Sequence, residues 1–175
     1  MTIADEVDVF VQRAEYERGA HLAQTLKRLS LSGYAPILGF DGVNRAHEGS
    51  NRVVTRLLGA SYLAHGGPGQ KALLSERRMA LAASGHEMFQ DASLVHDDLM
   101  DRSATRRGRA SLHRYFAQVH RESNWLGDSA RMGRALGLMI GDVLLAISEN
   151  LFREALDQVR GDLADYLVAL DQTTR

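Results

Sequence analysis

The amino-acid sequence predicts an all-α protein. Apolar residues recur at intervals of three and four along most of the chain, the spacing of helices with one buried face. Only 2 of the 175 residues are proline, whereas the strong helix formers Ala, Leu, Arg and Glu are abundant. A chain of this length is of ordinary single-domain size and can bury a sizeable core. We therefore predict one domain over residues 1–175.

The first half of the chain predicts helices separated by clear breaks. Helical spacing over residues 3–31 indicates one or two helices, with a break near Gly19. Residues 30–42 are rich in helix breakers and predict a connection. The pattern resumes at Val53 and stops at the His-Gly-Gly-Pro-Gly sequence of residues 65–69, a strong helix C-terminal signal.

The second half predicts longer helices around one polar loop. A helix is expected from about residue 70 to residue 100, and its Gly85, which costs about 1 kcal/mol relative to Ala, favours a break there. Residues 102–111 are polar and arginine-rich, as in a loop that folds over an anion. Weak helical spacing returns over residues 112–125.

The next helix begins with a clear cap. The sequence Gly-Asp-Ser at residues 127–129 can cap a helix with a strongly apolar face, on which Gly137 and Gly141 permit close packing. A last helical pattern covers residues 151–175, and no stop signal follows it.

Composition limits the classes of function. The hydrophobic fraction of 45% and charged fraction of 25% are typical of a globular protein, and a formal net charge of −1 argues against nucleic acid as the main partner. Because cysteine is absent, no disulfide, thiolate metal site or cysteine nucleophile can form. The N-terminus is acidic, unlike a secretory signal, and no apolar run approaches the roughly 18 residues of a transmembrane helix. We therefore expect a cytoplasmic protein without a transmembrane segment.

Three aspartates at the end of the helix ending near residue 100 carry the clearest chemical signal. Asp97 and Asp101 are four residues apart and project from one helix face, with Asp98 beside them. Such crowding destabilises a helix unless a cation compensates, and Mg²⁺ favours hard carboxylate oxygens. Arg106 and Arg107 can hold phosphate oxygens in a bidentate fork. An isolated cluster of this kind is as often a solvated helix end, but together these residues indicate a diphosphate clamp.

The flanking residues resemble a known family. Residues 87–94 read EMFQDASL and residues 106–113 read RRGRASLH, in the order found around the first aspartate-rich region of the trans-type isoprenyl diphosphate synthases, or polyprenyl synthetases. The likeness is to geranylgeranyl diphosphate synthases in particular. It implies an antiparallel helical bundle of the isoprenoid synthase type. The chain corresponds to about its N-terminal half, since the second aspartate-rich motif and the downstream lysine are not in the sequence. We expect either a fragment or a chain whose other half comes from elsewhere.

The resemblance also implies an activity, a cofactor and residue roles. In the family, Mg²⁺ on both aspartate-rich motifs holds an allylic diphosphate, which is condensed with isopentenyl diphosphate to a longer polyprenyl diphosphate. The implied catalytic residues are Asp97, Asp98 and Asp101, of which Asp97 and Asp101 bind Mg²⁺. The implied diphosphate contacts are Gln90, Arg106 for the allylic substrate and Arg107 for the homoallylic substrate.

The family's Gly-Gly-Lys-x-x-Arg signature, which holds the homoallylic diphosphate, is degenerate in this chain. When it is placed on residues 49–54, Asn51 stands for the lysine and Val54 for the arginine. The alternative position is Gly-Gly at residues 66–67, close to Lys71. Arg52 and Lys71 are therefore the candidates to replace the missing cations.

Product length in the family depends on side chains one and two turns before the first aspartate. Ala92 and Ser93 are small and would let a growing tail pass, whereas Phe89 would act as a floor. The alternative for Phe89 is an ordinary core position. The pattern predicts a medium-length product near geranylgeranyl diphosphate.

Two other functions stay open at this point. A catalytically incomplete partner subunit of a full-length synthase would explain the degenerate signature and the missing second motif. A terpene-cyclase-like enzyme, which ionises an allylic diphosphate without condensing it, would explain an intact aspartate cluster beside a decayed homoallylic site. The resemblance also implies a homodimer as the alternative to pairing with a synthase.

Overall fold

The computed structural model describes residues 2–28, 42–65 and 75–157, and these residues are almost entirely helical. The all-α prediction is confirmed. The helices are α1 (Ile3–Arg28), α2 (which includes residues 42–47), α3 (Val53–Ala64), α4 (Glu76–Met100), α5 (Leu112–Glu122) and α6 (Ser129–Leu156). A short antiparallel hairpin of β1 (Thr105–Arg106) and β2 (Arg109–Ala110) separates α4 from α5.

Helix α4 is the centre of the fold because it takes part in two hydrophobic clusters. The larger cluster joins α4 to α5 and α6, with Met88, Phe116 and Leu144 among its fully buried side chains. The smaller cluster joins α4 to α1 and α3 around Phe10 and Tyr62. Burial of such side chains is the main favourable contribution to folding, at about 25 cal/mol for each Å² of apolar surface removed from water.

Glycines on α6 let it approach α4 and α5 closely. A Cβ atom on Gly141 would overlap the imidazole of His96 on α4, and one on Gly137 would lie 3.4 Å from both His113 and Leu99. The predicted close packing at Gly137 and Gly141 is confirmed. Gly133, one turn earlier, is the most restrictive of the three, because its Cβ would overlap the backbone carbonyl of His113.

Two predicted helix breaks are wrong. Helix α1 passes through Gly19 without interruption, and α4 passes through Gly85. A Cβ on Gly85 would lie 3.3 Å from the Phe152 ring of α6, so this glycine serves helix packing. The preceding Ser84 donates hydrogen bonds to the carbonyls of Ala14 and Ala80, which ties α4 to α1 at the same level. Tertiary packing outweighs the helix propensity of a single glycine.

Other predicted boundaries shift or lie outside the described residues. The connection expected over residues 30–42 is undescribed up to residue 41, but residue 42 is already helical. The described part of the helix expected from residue 70 begins at Glu76. The last two predicted helices join, since α6 runs without a break to Leu156, and residues 158–175 lie outside the described part.

Helix α6 is the one described helix that is long and apolar enough to cross a membrane, with a mean hydropathy of 1.6 in its most apolar window. About 39% of that window is buried inside the molecule. The core helix of a globular protein meets the same criterion, so the composition of α6 is weak evidence for a membrane span.

We expect Gly133→Ala to lower the free energy of unfolding by about 1–3 kcal/mol, because the added methyl group must displace the α5 backbone. Gly19→Ala is the matched control, since no atom lies within 4 Å of the added methyl group. The control should raise the free energy of unfolding by about 0.5–1 kcal/mol through helix propensity. Urea unfolding of both variants measures the difference, and similar effects of the two substitutions would contradict the packing account.

Candidate active site

The three predicted aspartates lie at the C-terminal end of α4 in different environments. Asp98 is buried, with 3% of its surface exposed. The Asp97 side chain is 48% exposed, and Asp101, whose N–H caps the helix by donating to the Asp97 carbonyl, is exposed. Negative charge is unfavourable at a helix C-terminus, where the helix dipole is itself negative. The cluster therefore requires a positive partner.

Arg106 is that partner in the structure. Its Nη2 donates to Asp97 Oδ2 at 2.7 Å and to Asp98 Oδ1 at 2.8 Å, and its Nε donates to Asp98 Oδ1 at 3.1 Å. Hydrogen bonds to Asp98 and then to Asp97 raise the pKa of the Arg106 guanidinium. Sequence reasoning predicted a compensating cation at this point, and the chain supplies at least one from its own hairpin.

The hairpin turn explains why Arg106 returns to α4. Arg107 and Gly108 both have positive φ angles, 51° and 75°, between strands that pair Arg106 with Arg109. Two left-handed residues in succession are typical of the tight hairpin turn that matches strand twist. The Ser111 hydroxyl donates to the Ser103 carbonyl at 2.7 Å and closes the base of the loop.

Arg107 has different partners from Arg106. Its Nη1 donates to the Glu48 carbonyl at 3.2 Å, and its Nη2 lies 3.9 Å from Asp91 Oδ1. The structure therefore brings Arg106 to the aspartate cluster and Arg107 to the segment after α2, and the two guanidinium groups do not share a partner.

Buried carboxylates form a stripe along α4 that sequence reasoning did not identify. Glu87, Asp91 and Asp98 are all less than 4% exposed, and their spacing of four and seven residues places them on one side of the helix. Glu87 accepts hydrogen bonds from the hydroxyls of Thr55 at 2.9 Å and Ser50 at 3.1 Å. The spacing of these acids along α4 was the available signal.

His47 bridges two carboxylates at the middle of this stripe. Its Nδ1 is hydrogen-bonded to Asp91, and its Nε2 lies 2.9 Å from Glu15 Oε1. Burial alone would lower the pKa of His47, but the hydrogen bonds to Asp91 and Glu15 outweigh burial and raise it. Burial would likewise raise the pKa of Glu15, but hydrogen bonds from His47 and Arg52 hold it far below its ordinary value. The pair of shifts favours an imidazolium between two carboxylates.

Arg52, a predicted substrate contact, belongs to the same network. Its Nε donates to Glu15 Oε1 at 2.6 Å, and its Nη1 donates to the Ser50 carbonyl at 2.6 Å. Its role with substrate stays a prediction, and any such contact would compete with these bonds. Asn51 beside it is exposed. Lys71, the other candidate, lies outside the described residues.

The residues predicted to contact substrate along α4 divide between two faces. Gln90, Ser93 and Asp97 are spaced by three and four residues and form a surface stripe, with Phe89, 50% exposed, next to it. Ala92 is fully buried in the larger core cluster. The structure thus brings Phe89 and Ser93 onto the face that leads to Asp97 and turns Ala92 away from it.

The donor set at the aspartate cluster fits a shared Mg²⁺ site. Within residues 2–28, 42–65 and 75–157, no three His, Asp or Glu side chains lie together as a complete metal site. Mg²⁺, however, usually takes one or two carboxylates and completes its shell with water and substrate phosphate. Asp97 and Asp101, one turn apart and open to solvent, meet this requirement, whereas Asp98 is buried against Arg106.

Comparison with known proteins identifies a family and a similar fold. The family model described as polyprenyl synthetase matches residues 50–171. The fold is similar to that of geranylgeranyl pyrophosphate synthase from Corynebacterium glutamicum, whose crystal structure contains isoprenyl diphosphate and magnesium, with a TM-score of 0.69 and 25% sequence identity. The match covers 83% of this chain and 42% of the synthase chain, so this chain spans less than half of that protein's length.

We expect His47→Gln to lower the free energy of unfolding by about 3 kcal/mol near pH 6, because Glu15 and Asp91 lose the cation between them. The folded-state pKa of His47 is raised above its ordinary value of 6.5. Its stabilisation is therefore fully present below pH 6.5 and is lost as the pH rises through the folded-state pKa. Urea unfolding across this range should show the difference between wild type and variant shrinking with pH.

The control for this experiment is His65→Gln, which changes an exposed histidine whose ring, within the described residues, is hydrogen-bonded to the Ser61 carbonyl of its own helix. It should alter stability by less than about 0.5 kcal/mol at every pH. A His47→Gln effect that stays constant with pH would contradict the charged bridge.

Proposed function

This chain belongs to the polyprenyl synthetase family, and we propose that it supplies the allylic-diphosphate half of a Mg²⁺-dependent prenyltransferase site. The reaction condenses an allylic diphosphate with isopentenyl diphosphate, giving a longer polyprenyl diphosphate and releasing inorganic diphosphate. The observation that carries the proposal is the aspartate cluster at the end of α4, with Arg106 bonded to Asp97 and Asp98 inside the region matched by the family.

Asp97 and Asp101 are the proposed Mg²⁺ ligands. When bound, Mg²⁺ supplies positive charge to the phosphate oxygens of the leaving group. Arg106 holds one oxygen of Asp97 and so fixes the orientation of that carboxylate, while the other oxygen makes no hydrogen bond in the described part of the chain. Asp98 is buried and anchors Arg106, so we propose a positioning role for it.

Arg106 is also suited to the charge that develops as diphosphate leaves. Its side chain is one-third exposed, and its Nη1 makes no hydrogen bond within the described residues. A fixed cation placed where negative charge develops needs no rearrangement during the reaction, which makes it effective. Arg106 can therefore contact the allylic diphosphate while its other nitrogen atoms keep Asp97 and Asp98 in place.

A partner-subunit role is the second candidate, and one observation favours it. Arg52 and Arg107 are bonded to groups of this chain. When the family signature is placed on residues 49–54, Asn51 and Val54 stand where it has cations. A homoallylic diphosphate would have to displace internal contacts. As a partner subunit, the chain would contribute its allylic half to a full-length synthase. The same contacts are compatible with a terpene-cyclase-like enzyme, which ionises an allylic diphosphate without condensing it. If the chain is instead part of a prenyltransferase in its own right, we propose that it forms a homodimer.

We expect Asp97→Asn to abolish Mg²⁺-dependent binding of a non-reactive allylic thiodiphosphate, because one of two proposed ligands loses its charge. Asp157→Asn is the matched control, since Asp157 is an exposed aspartate just after α6. Calorimetric titration with and without Mg²⁺ measures the affinity of each variant for the thiodiphosphate. Equal Mg²⁺-dependent affinities of Asp97→Asn and Asp157→Asn for the thiodiphosphate would mean that the diphosphate binds outside the aspartate cluster.

Incubation of the 175-residue chain with Mg²⁺, radiolabelled isopentenyl diphosphate and allylic diphosphates of increasing length tests the reaction itself. Elongated products would support the prenyltransferase proposal. Release of diphosphate without elongation would replace it by the cyclase-like activity. If the chain alone gives no elongated product, but its addition raises the yield of a full-length synthase above that of the synthase alone, the result would support the partner-subunit role.

Phe89→Ala is expected to lengthen the main product by at least one five-carbon unit, because it removes the large side chain on the face that leads to Asp97. Leu57→Ala, on the exposed side of α3, is the control and should leave product length unchanged. Chromatography of the products measures their chain length. Products of equal length from wild type and Phe89→Ala would contradict the proposed path of the growing prenyl tail.

A further inference from the structure

A basic cleft lies between the end of α4, helix α5 and the first turns of α6. Its volume is about 480 Å³, and it shares no lining residue with the small cavity beside Arg106. Its charged lining residues are Arg102, Arg114, Arg121 and Arg134. No aspartate or glutamate is among its described lining residues. We refer to it as the arginine cleft.

The arginines of this cleft are not neutralised by neighbouring acids. Within the described part of the chain, the guanidinium groups of Arg102, Arg114 and Arg134 form no hydrogen bond or ion pair, and that of Arg121 only donates to the Ser129 hydroxyl at 3.4 Å. Arg106, by contrast, is bonded to two aspartates. Uncompensated like charges repel one another and raise the free energy of the folded state.

One acid within electrostatic reach of the cleft is already engaged. Asp128 caps α6 by accepting hydrogen bonds from the N–H groups of Ala130 at 2.8 Å and Arg131 at 3.1 Å. Its charge lies within electrostatic reach of Arg134, and hydrogen bonding to the helix N–H groups is the main cause of its lowered pKa. Asp128 thus serves the helix terminus and leaves the positive charge of the cleft largely unbalanced.

Local geometry gathers these charges around a concave surface. Arg114 and Arg121 are two helical turns apart on α5 and lie on the same face. Arg102 has a left-handed backbone conformation with φ of 55° immediately after α4. The rest of the cleft is lined by His113 and by the apolar residues Leu99, Ala117 and Ala130.

We propose that the arginine cleft binds a small, multiply charged phosphate-type oxyanion, of which inorganic diphosphate is the simplest example. Guanidinium groups bind such oxygens in bidentate fashion and stay charged at all physiological pH values. The volume is within the range of about 300–1,000 Å³ typical of small-molecule sites. A second copy of this chain is a poor occupant, because a two-fold interface would place the same positive surface against itself.

His113 provides a spectroscopic signal at this cleft. It is buried beside the lining arginines, and burial, followed by the charge of Arg114, lowers its pKa. The charge of Asp98 raises the pKa of His113, and the charge of Arg134 lowers it further. An anion bound among the arginines would offset their charge and raise the pKa of the His113 imidazole.

Calorimetric titration of inorganic diphosphate into the whole chain, with EDTA present to remove divalent cations, tests the proposal. Saturable binding is expected, and Arg134→Gln and Arg114→Gln should each weaken it about tenfold or more, since each removes a charge-assisted contact. Arg131→Gln, an exposed arginine of α6 outside the cleft lining, is the matched control and should change affinity less than about twofold. Because EDTA removes the Mg²⁺ on which the proposed site at Asp97 and Asp101 depends, binding under these conditions is separated from that site.

A nuclear magnetic resonance titration of His113 gives a second measurement on the wild-type chain. Saturating sulfate, which does not titrate in this range, should raise the His113 midpoint, and the rise should disappear in Arg134→Gln. Absence of saturable diphosphate binding, equal weakening by Arg131→Gln and Arg134→Gln, or an unmoved His113 midpoint would each overturn the proposal.

Discussion

Pairing of the buried carboxylates on α4 with hydrogen-bond donors is the constraint on which the rest of the structure depends. A carboxylate removed from water without a partner costs several kcal/mol, and α4 buries Glu87, Asp91 and Asp98. Each is matched by a group from another part of the chain, including His47 from α2 and Arg106 from the hairpin. The polar contacts therefore determine where α2 and the hairpin lie against α4. Helices α4 and α6 are joined by apolar packing together with the Ser148–Gly85 hydrogen bond and the Arg77–Glu154 ion pair.

The same constraint separates structural acids from acids available to a ligand. Asp98 faces the molecule and is neutralised by Arg106, whereas Asp97 and Asp101 face solvent. Arg106 touches both sets, so the groups that stabilise the hairpin also orient the exposed carboxylate. A substrate site built on such a pre-formed pair needs little reorganisation when an anion and its metal arrive.

Much of the fold could be predicted from sequence, because helical periodicity and the cap at Asp128 are local signals. The breaks placed at Gly19 and Gly85 were wrong, since only the folded state shows that Phe152 packs on Gly85. The pairing of Arg106 with the aspartates depends on a hairpin turn that composition alone indicated only as a loop. The bridge from Asp91 to Glu15 joins residues far apart in the chain, and no local pattern predicts such a contact.

The central claim is that the exposed aspartates of α4 and Arg106 together hold an allylic diphosphate. Its most direct test is a crystal structure of the chain with Mn²⁺ in place of Mg²⁺ and an allylic thiodiphosphate. The account predicts anomalous density at coordination distance from Asp97 and Asp101, with the diphosphate in contact with Arg106. An ordered diphosphate bound elsewhere, with no metal at Asp97 and Asp101, would contradict it.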